Sequence, residues 1–201
     1  FPQEPLLLNI SGACYLAAEM YEDAVMSFKK AVELKQDYAA AQYNLGVAYR
    51  SLGQNDSAMN CFKKAININP AYPDAHNNLG LILLQDQQII DAVEHFEWAV
   101  AYKPEFAAAH NNHGAALQEL RKYDESINSY KKAVEINPAY TQAHNNLGIS
   151  YQIIGDKNKS IEHYEKALSI KSNYAQVHQD LSALKIYESN DPQIKTIEKL
   201  L

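Results

Sequence analysis

The chain has 201 residues, and its 24 acidic and 18 basic side chains leave a net charge of −6, which argues against a nucleic-acid binder with its usual basic face. Hydrophobic residues make up 47%, enough for a packed core and too many for wholesale disorder, yet no apolar stretch approaches the ~20 residues of a membrane span, so no membrane insertion is expected. Two cysteines, Cys14 and Cys61, suggest no disulfide framework, and a reducing, cytoplasmic setting is the expectation. The opening "FPQEPLLLNI" lacks the charged region and cleavage site of a secretory signal, and without an initiator Met the chain reads as part of something longer.

The sequence repeats every 34 residues. Gly12, Gly46, Gly80, Gly114 and Gly148 form one column. Ala31, Ala65, Ala99, Ala133 and Ala167 form a second, and Phe28, Phe62, Phe96, Tyr130 and Tyr164 a third. Tyr38, Tyr72, Phe106, Tyr140 and Tyr174 form a fourth. A fixed period of this length is the signature of a repeat array. The units in chain order are 5–38, 39–72, 73–106, 107–140 and 141–174, with a partial unit over 175–188.

Each unit reads as two helices. In 73–106, Pro73 and Asp74 open the first, and Leu79, Ile82 and Leu83 give it helical spacing. The polar stretch Asp86-Gln87-Gln88 breaks it. Ala92, Val93, Phe96, Ala99 and Val100 then mark a second amphipathic helix, which Pro104 stops. Pro70 and Pro138 do the same in their units. Gly80 and Ala92 are expected to let the two helices approach, with Phe96 filling the space beside them.

These columns resemble the tetratricopeptide repeat family. Leu45-Gly46, Tyr49, Ala58, Phe62, Ala65 and Pro70 match its pattern throughout, and the resemblance spans about 5–188. Departures are local: Ser11 and His113 stand at the Leu position, Leu83 and Leu117 at the Tyr, Ser126 and Ser160 at the first Ala, Gln36 and Ser172 at the Pro. The resemblance implies an all-α, right-handed superhelical solenoid of antiparallel helix pairs. It also implies first helices on the concave side, lining a groove that binds a protein or extended peptide segment.

By position, the groove slots read as four rows. One holds Asn44, Asn78, Asn112, Asn146 and Asp180, preceded in the first unit by Ile10; the slot before it holds Asn9, Tyr43, Asn77, Asn111, Asn145 and Gln179. Three residues further on come Ala13, Val47, Leu81, Ala115, Ile149 and Ala183, and then Leu16, Arg50, Leu84, Gln118, Gln152 and Ile186. An Asn side chain offers donors and an acceptor, so a row of them can grip a peptide backbone without demanding a sequence. The competing reading is that these amides bond neighbouring helices. The row resembles that of the superhelix attached to O-linked N-acetylglucosamine transferases. The carboxylate clamp of chaperone-tail adaptors has no counterpart beyond Arg50.

His76, His110, His144 and His178 form another column. Zinc ligands lie within ~2.1 Å of the ion and packed helices ~8–10 Å apart, so the column cannot close on one metal and reads as semi-buried scaffold. His95 and His163 read as surface positions of second helices, and Cys14 and Cys61 as small buried hydrophobes. His110 and His113 share a helix face but lack an acidic or thiol partner. No catalytic constellation, cofactor motif or metal site is apparent. The chain therefore reads as non-catalytic.

After the partial unit, Asp191 and Pro192 suit an N-cap and N1 pair, followed by an apolar face of Ile194, Ile197, Leu200 and Leu201. Residues 189–201 read as a capping helix or as a junction, since the stretch resembles the segment joining tetratricopeptide arrays to sulfotransferase-like domains. On that alternative the chain recruits substrates for a larger sulfotransferase- or glycosyltransferase-like enzyme. Exposed array ends make end-to-end association of copies a further expectation.

Overall fold

The 34-residue period becomes a 34-residue helix pair. The computed structural model describes residues 4–185 together with 196 and 199. Among these described residues the helices are α1 Pro5–Ala17, α2 Tyr21–Leu34, α3 Ala39–Ser51, α4 Asn55–Ile68, α5 Pro73–Gln85, α6 Ile89–Tyr102, α7 Ala107–Glu119, α8 Tyr123–Ile136, α9 Thr141–Ile153, α10 Lys157–Ile170 and α11 Ala175–Leu184. One odd-numbered and one even-numbered helix fall within each successive 34-residue stretch from 5 to 174. Pro73 opens α5, and Pro70, Pro104 and Pro138 follow shortly after α4, α6 and α8. Acidic residues enter the first turns of α2 and α8, namely Glu22, Asp23, Asp124 and Glu125, where they offset the partial positive charge of a helix N-terminus. The expected helix over 189–201, with Asp191, Pro192, Ile194, Ile197, Leu200 and Leu201, falls outside the described residues save for 196 and 199, as does Ile186.

The turn inside each pair passes through the left-handed region, at Glu19 (φ 58°), Gly53 (72°), Gln87 (61°), Arg121 (60°) and Gly155 (83°). These positions also recur every 34 residues. Only two are glycine, so the column is invisible to a search for conserved letters even though the backbone demand is the same.

The chain divides into two units, Phe1–Pro104 and Glu105–Leu201. In the first, α1 packs on α2, α3 on α4 and α5 on α6, and the pairs stack through α2 on α3 and α4 on α5. Phe28, Phe62 and Phe96 are fully buried. A Cβ on Gly12, Gly46 or Gly80 would sit 2.6, 2.6 or 2.8 Å from the matching Phe ring, which is why a bulkier residue there overpacks the pair. In the second unit α7 packs on α8, α9 on α10, α8 on α9 and α10 on α11. Tyr130 and Tyr164 take the Phe positions, with a Cβ on Gly114 or Gly148 falling 2.7 or 2.4 Å from their rings. The Ala-to-Ser departures also find a reason: Ser126 Oγ donates to Gly114 O and Ser160 Oγ to Gly148 O, both at 2.8 Å, tying the second helix to the first.

Candidate functional site

The amide row fixes the register of neighbouring first helices. Asn44 Nδ2 donates to Asn9 Oδ1 at 3.0 Å, Asn78 Nδ2 to the Tyr43 hydroxyl at 3.1 Å, and Asn146 Nδ2 to Asn111 Oδ1 at 3.0 Å. Each bond spans 35 residues, one repeat plus one position. Asn78 is the most heavily engaged: its amide also donates to Asp74 O at 2.9 Å, and its oxygen accepts from the Arg50 guanidinium. Burial and then the Asp74 charge push the Tyr43 hydroxyl above its ordinary pKa.

This geometry redistributes the expected site residues. Asn77, Asn111 and Asn145 are buried at 6–7% exposure, and Asn78 at 8%. They therefore sit between helices and do not line an open face. Asn9, Tyr43, Asn44, Asn112, Asn146 and Asp180 are partly exposed, as are Val47, Leu81, Ala115, Ile149 and Gln118. Arg50, Gln152 and Gln179 are exposed. The donors expected to meet a peptide at Asn44, Asn78 and Asn146 are largely spent inside the array. Each amide oxygen keeps a second lone pair after accepting one bond.

Gln118 and Gln152 have a structural partner that sequence reading missed. The Tyr164 hydroxyl donates to Gln152 Oε1 at 3.0 Å, and the Tyr130 hydroxyl to Gln118 Oε1 at 3.4 Å, where Ser150 Oγ also donates at 2.9 Å. In the first unit the aromatic is Phe and the paired slot holds Leu16, Arg50 or Leu84. The aromatic column and the groove column change together, Phe with no glutamine and Tyr with glutamine, and that covariation was readable in the sequence. Burial raises both phenols, Tyr164 to about 12.

The row ends differently at its last step. By the 35-residue register the donor to Asn145 would come from position 180, which is Asp180. An ionised carboxylate has no proton to donate, and its Oδ1 accepts from Gln176 Nε2 at 2.9 Å. Asn145 Oδ1 is left buried with no hydrogen-bond partner.

Four of the histidines form pairs across two of the helix pairs, α5 with α6 and α9 with α10. His76 Nδ1 lies 3.0 Å from His95 Nδ1, with His76 Nε2 3.0 Å from Pro70 O. His144 repeats this with His163 Nδ1 at 3.1 Å and Pro138 O at 3.0 Å. A carbonyl oxygen only accepts, so His76 and His144 carry their proton on Nε2, and His95 and His163 donate through Nδ1. His95 and His163 are thus partly buried partners, not surface positions. Burial lowers all four below the ordinary histidine pKa, His163 to about 4. His113, at a Leu position, sets Nδ1 3.1 Å from Ser129 Oγ and is also pushed down to about 4 by burial. Cys61 is buried as expected, with its thiol pushed up to about 11, whereas Cys14 is exposed. Among the described residues no group of three or more His, Cys, Asp or Glu could hold a metal ion, and no helix is long and apolar enough to cross a membrane.

Comparison with known proteins places the repeat. A family model described as TPR repeat matches residues 12–50 and 48–87, and one described as Tetratricopeptide repeat matches 105–173. No curated protein matches. Among solved structures, the pilF protein of Pseudomonas aeruginosa superposes with a TM-score of 0.84 at 16% identity, over 98% of this chain and 88% of that one. YrrB, described as a TPR protein with an unusual peptide-binding site, gives 0.74 at 23% identity over 92% of this chain and 93% of its own. MamA from Desulfovibrio magneticus RS-1 gives 0.75 at 24% identity over 85% and 96%. The helix pairs, the Gly–aromatic contacts and these matches agree, and the chain belongs to the tetratricopeptide repeat family, with its all-α helix-pair solenoid fold.

Proposed function

We propose that this chain is a non-catalytic scaffold that binds an extended peptide or protein segment along the exposed parts of its first helices. The observation that carries the reading is the 35-residue amide register. Within the first unit it orders the partly exposed Asn44 on the helix that also carries Val47, and within the second the partly exposed Asn146 on the helix that also carries Ile149. The amide oxygens accept from peptide N–H groups, the apolar positions take side chains, and Arg50, Gln152 and Gln179 supply polar contacts. Convergent polar groups beside apolar surface are the ordinary anatomy of such a site. The description of YrrB as a TPR protein with a peptide-binding site supports the same class of partner.

A second reading is that this face recruits substrates for a larger sulfotransferase- or glycosyltransferase-like enzyme; the Asn row at 34-residue spacing favours it. Leu6, Leu7 and Ile10 on α1, each about half exposed (49–56%), favour association of copies through that end, which sedimentation over a concentration series reads. A reducing, cytoplasmic setting is part of the same reading, in which Cys14 and Cys61 are free thiols.

The test is peptide display against the chain, followed by affinity measurement on variants. Val47→Asp and Leu81→Asp, or Ile149→Asp, are expected to weaken selected peptides at least about tenfold, 1.4 kcal/mol, with helical content intact. Unchanged affinity in all three sinks the proposal.

A further inference from the structure

The two histidine pairs share one frame but differ in what covers it. Pro70, His76 and His95 in the first unit correspond, two repeats on, to Pro138, His144 and His163 in the second. The distances agree: imidazole to carbonyl is 3.0 Å in both, and imidazole to imidazole 3.0 and 3.1 Å. In the first unit the frame is covered by aromatic rings. Trp98 and Tyr102 stack with centroids 5.6 Å apart and lie 6.5 and 5.9 Å from the His76 ring. In the second unit those positions are Lys166 and Ile170. There a cavity of about 390 Å³ opens, lined by Val134, Pro138, His144, His163, Lys166, Ser169 and Ile170.

We propose that this cavity is a docking pocket for a tryptophan or tyrosine side chain of a partner protein. The first unit shows what the frame accepts, since it seats an indole and a phenol of its own chain against the same imidazole. The second unit keeps the seat and lacks the rings. The volume lies at the small end of ligand pockets and suits a side chain rather than a large cofactor. The electrostatics are complementary. Lys166 brings a cation to an aromatic face, and although its Nζ pairs with Glu162 at 2.7 Å, that pair is half exposed and weak enough to rearrange. His163 donates through Nδ1 to His144, so its Nε2 is an acceptor for an indole N–H or phenol O–H. Its ring is braced by Tyr151, stacked at 5.5 Å. None of these residues belongs to the amide row, so the pocket stands or falls independently of the groove reading.

The test follows the imidazole C–H resonances of the whole chain by NMR during titration with N-acetyltryptophanamide, N-acetyltyrosinamide and N-acetylleucinamide. The aromatic amides are expected to shift His144 and His163 saturably, with little effect at His76 and His95, and the leucine amide is expected to shift neither pair. Lys166→Trp/Ile170→Tyr installs the first unit's cover and should weaken the response at least about tenfold. Trp98→Lys/Tyr102→Ile should open the first frame and bring His76 and His95 into the response. A response equal for leucine, one that survives Lys166→Trp/Ile170→Tyr, or no saturable shift at His144 and His163 overturns the proposal.

Discussion

Asn146 gives its amide proton to Asn111 at 3.0 Å, across one repeat and one residue. The same 35-residue step joins Asn44 to Asn9 and Asn78 to Tyr43. Asn is a poor helix former, and this bond is what returns the cost: it satisfies a buried amide and pins two first helices in one register.

The unfilled step makes the first prediction. Asp180→Asn supplies a donor in register with Asn145 Oδ1, the buried acceptor left without a partner. A net hydrogen bond contributes about 0.5–1.5 kcal/mol, so urea unfolding should show a gain of that size. An unchanged or lower midpoint would mean that the register does not extend to position 180.

The glutamine–tyrosine pairs make the second. Gln152→Leu removes the acceptor of the Tyr164 hydroxyl and should cost about 1–2 kcal/mol, because an unpaired hydroxyl is left in a buried side chain. Gln152→Leu with Tyr164→Phe recreates the Leu–Phe combination of Leu16 with Phe28 and of Leu84 with Phe96, and should recover most of the loss. A double-mutant cycle by chemical denaturation reads the coupling; additive effects would rule the pairing out.

Stability should fall as pH drops from about 7 towards 4. Burial holds His113 and His163 near 4 in the folded chain, while an unfolded histidine takes its proton near 6.5. Between these values the unfolded state binds more protons, so stability is complete above about 6.5 and declines on acidification. After allowance for residual exposure the loss between pH 7 and 5 is on the order of 1–3 kcal/mol. His113→Leu, matching Leu45, Leu79 and Leu147 at that column, should flatten the slope; an equal slope in the variant contradicts the assignment.

The left-handed turn column makes the fourth. Gln87 and Arg121 adopt φ of 61° and 60° without being glycine, a conformation that costs an L-residue about 1–2 kcal/mol. Gln87→Gly should raise stability by about 0.5–1 kcal/mol once glycine's greater unfolded-state freedom is counted, and Gly53→Ala should lower it by a similar amount. Thermal unfolding of the two variants should move in opposite directions.

The sequence by itself determined the helix pairs, their boundaries and the Gly–aromatic contacts. Those depend on interactions between residues near in sequence, repeated so often that Gly46 with Phe62, or Pro70 after α4, stands out from one chain. It also held the Tyr–Gln covariation and the turn column, unread because the first links two columns and the second changes letters from Glu19 to Gly53 to Gln87. What only the tertiary structure decided is where each amide and imidazole spends its hydrogen bonds. Asn77 and Asn78 are adjacent letters in one repeating motif, and from the motif alone either could face a peptide. Their burial, and the bond from Asn78 to Tyr43, arise from the distance between successive repeats, which no local pattern encodes. The same holds for His144 and His163, nineteen residues apart on different helices, and for the cavity beside them, lined by Lys166 and Ile170 at the positions that Trp98 and Tyr102 hold in the first unit.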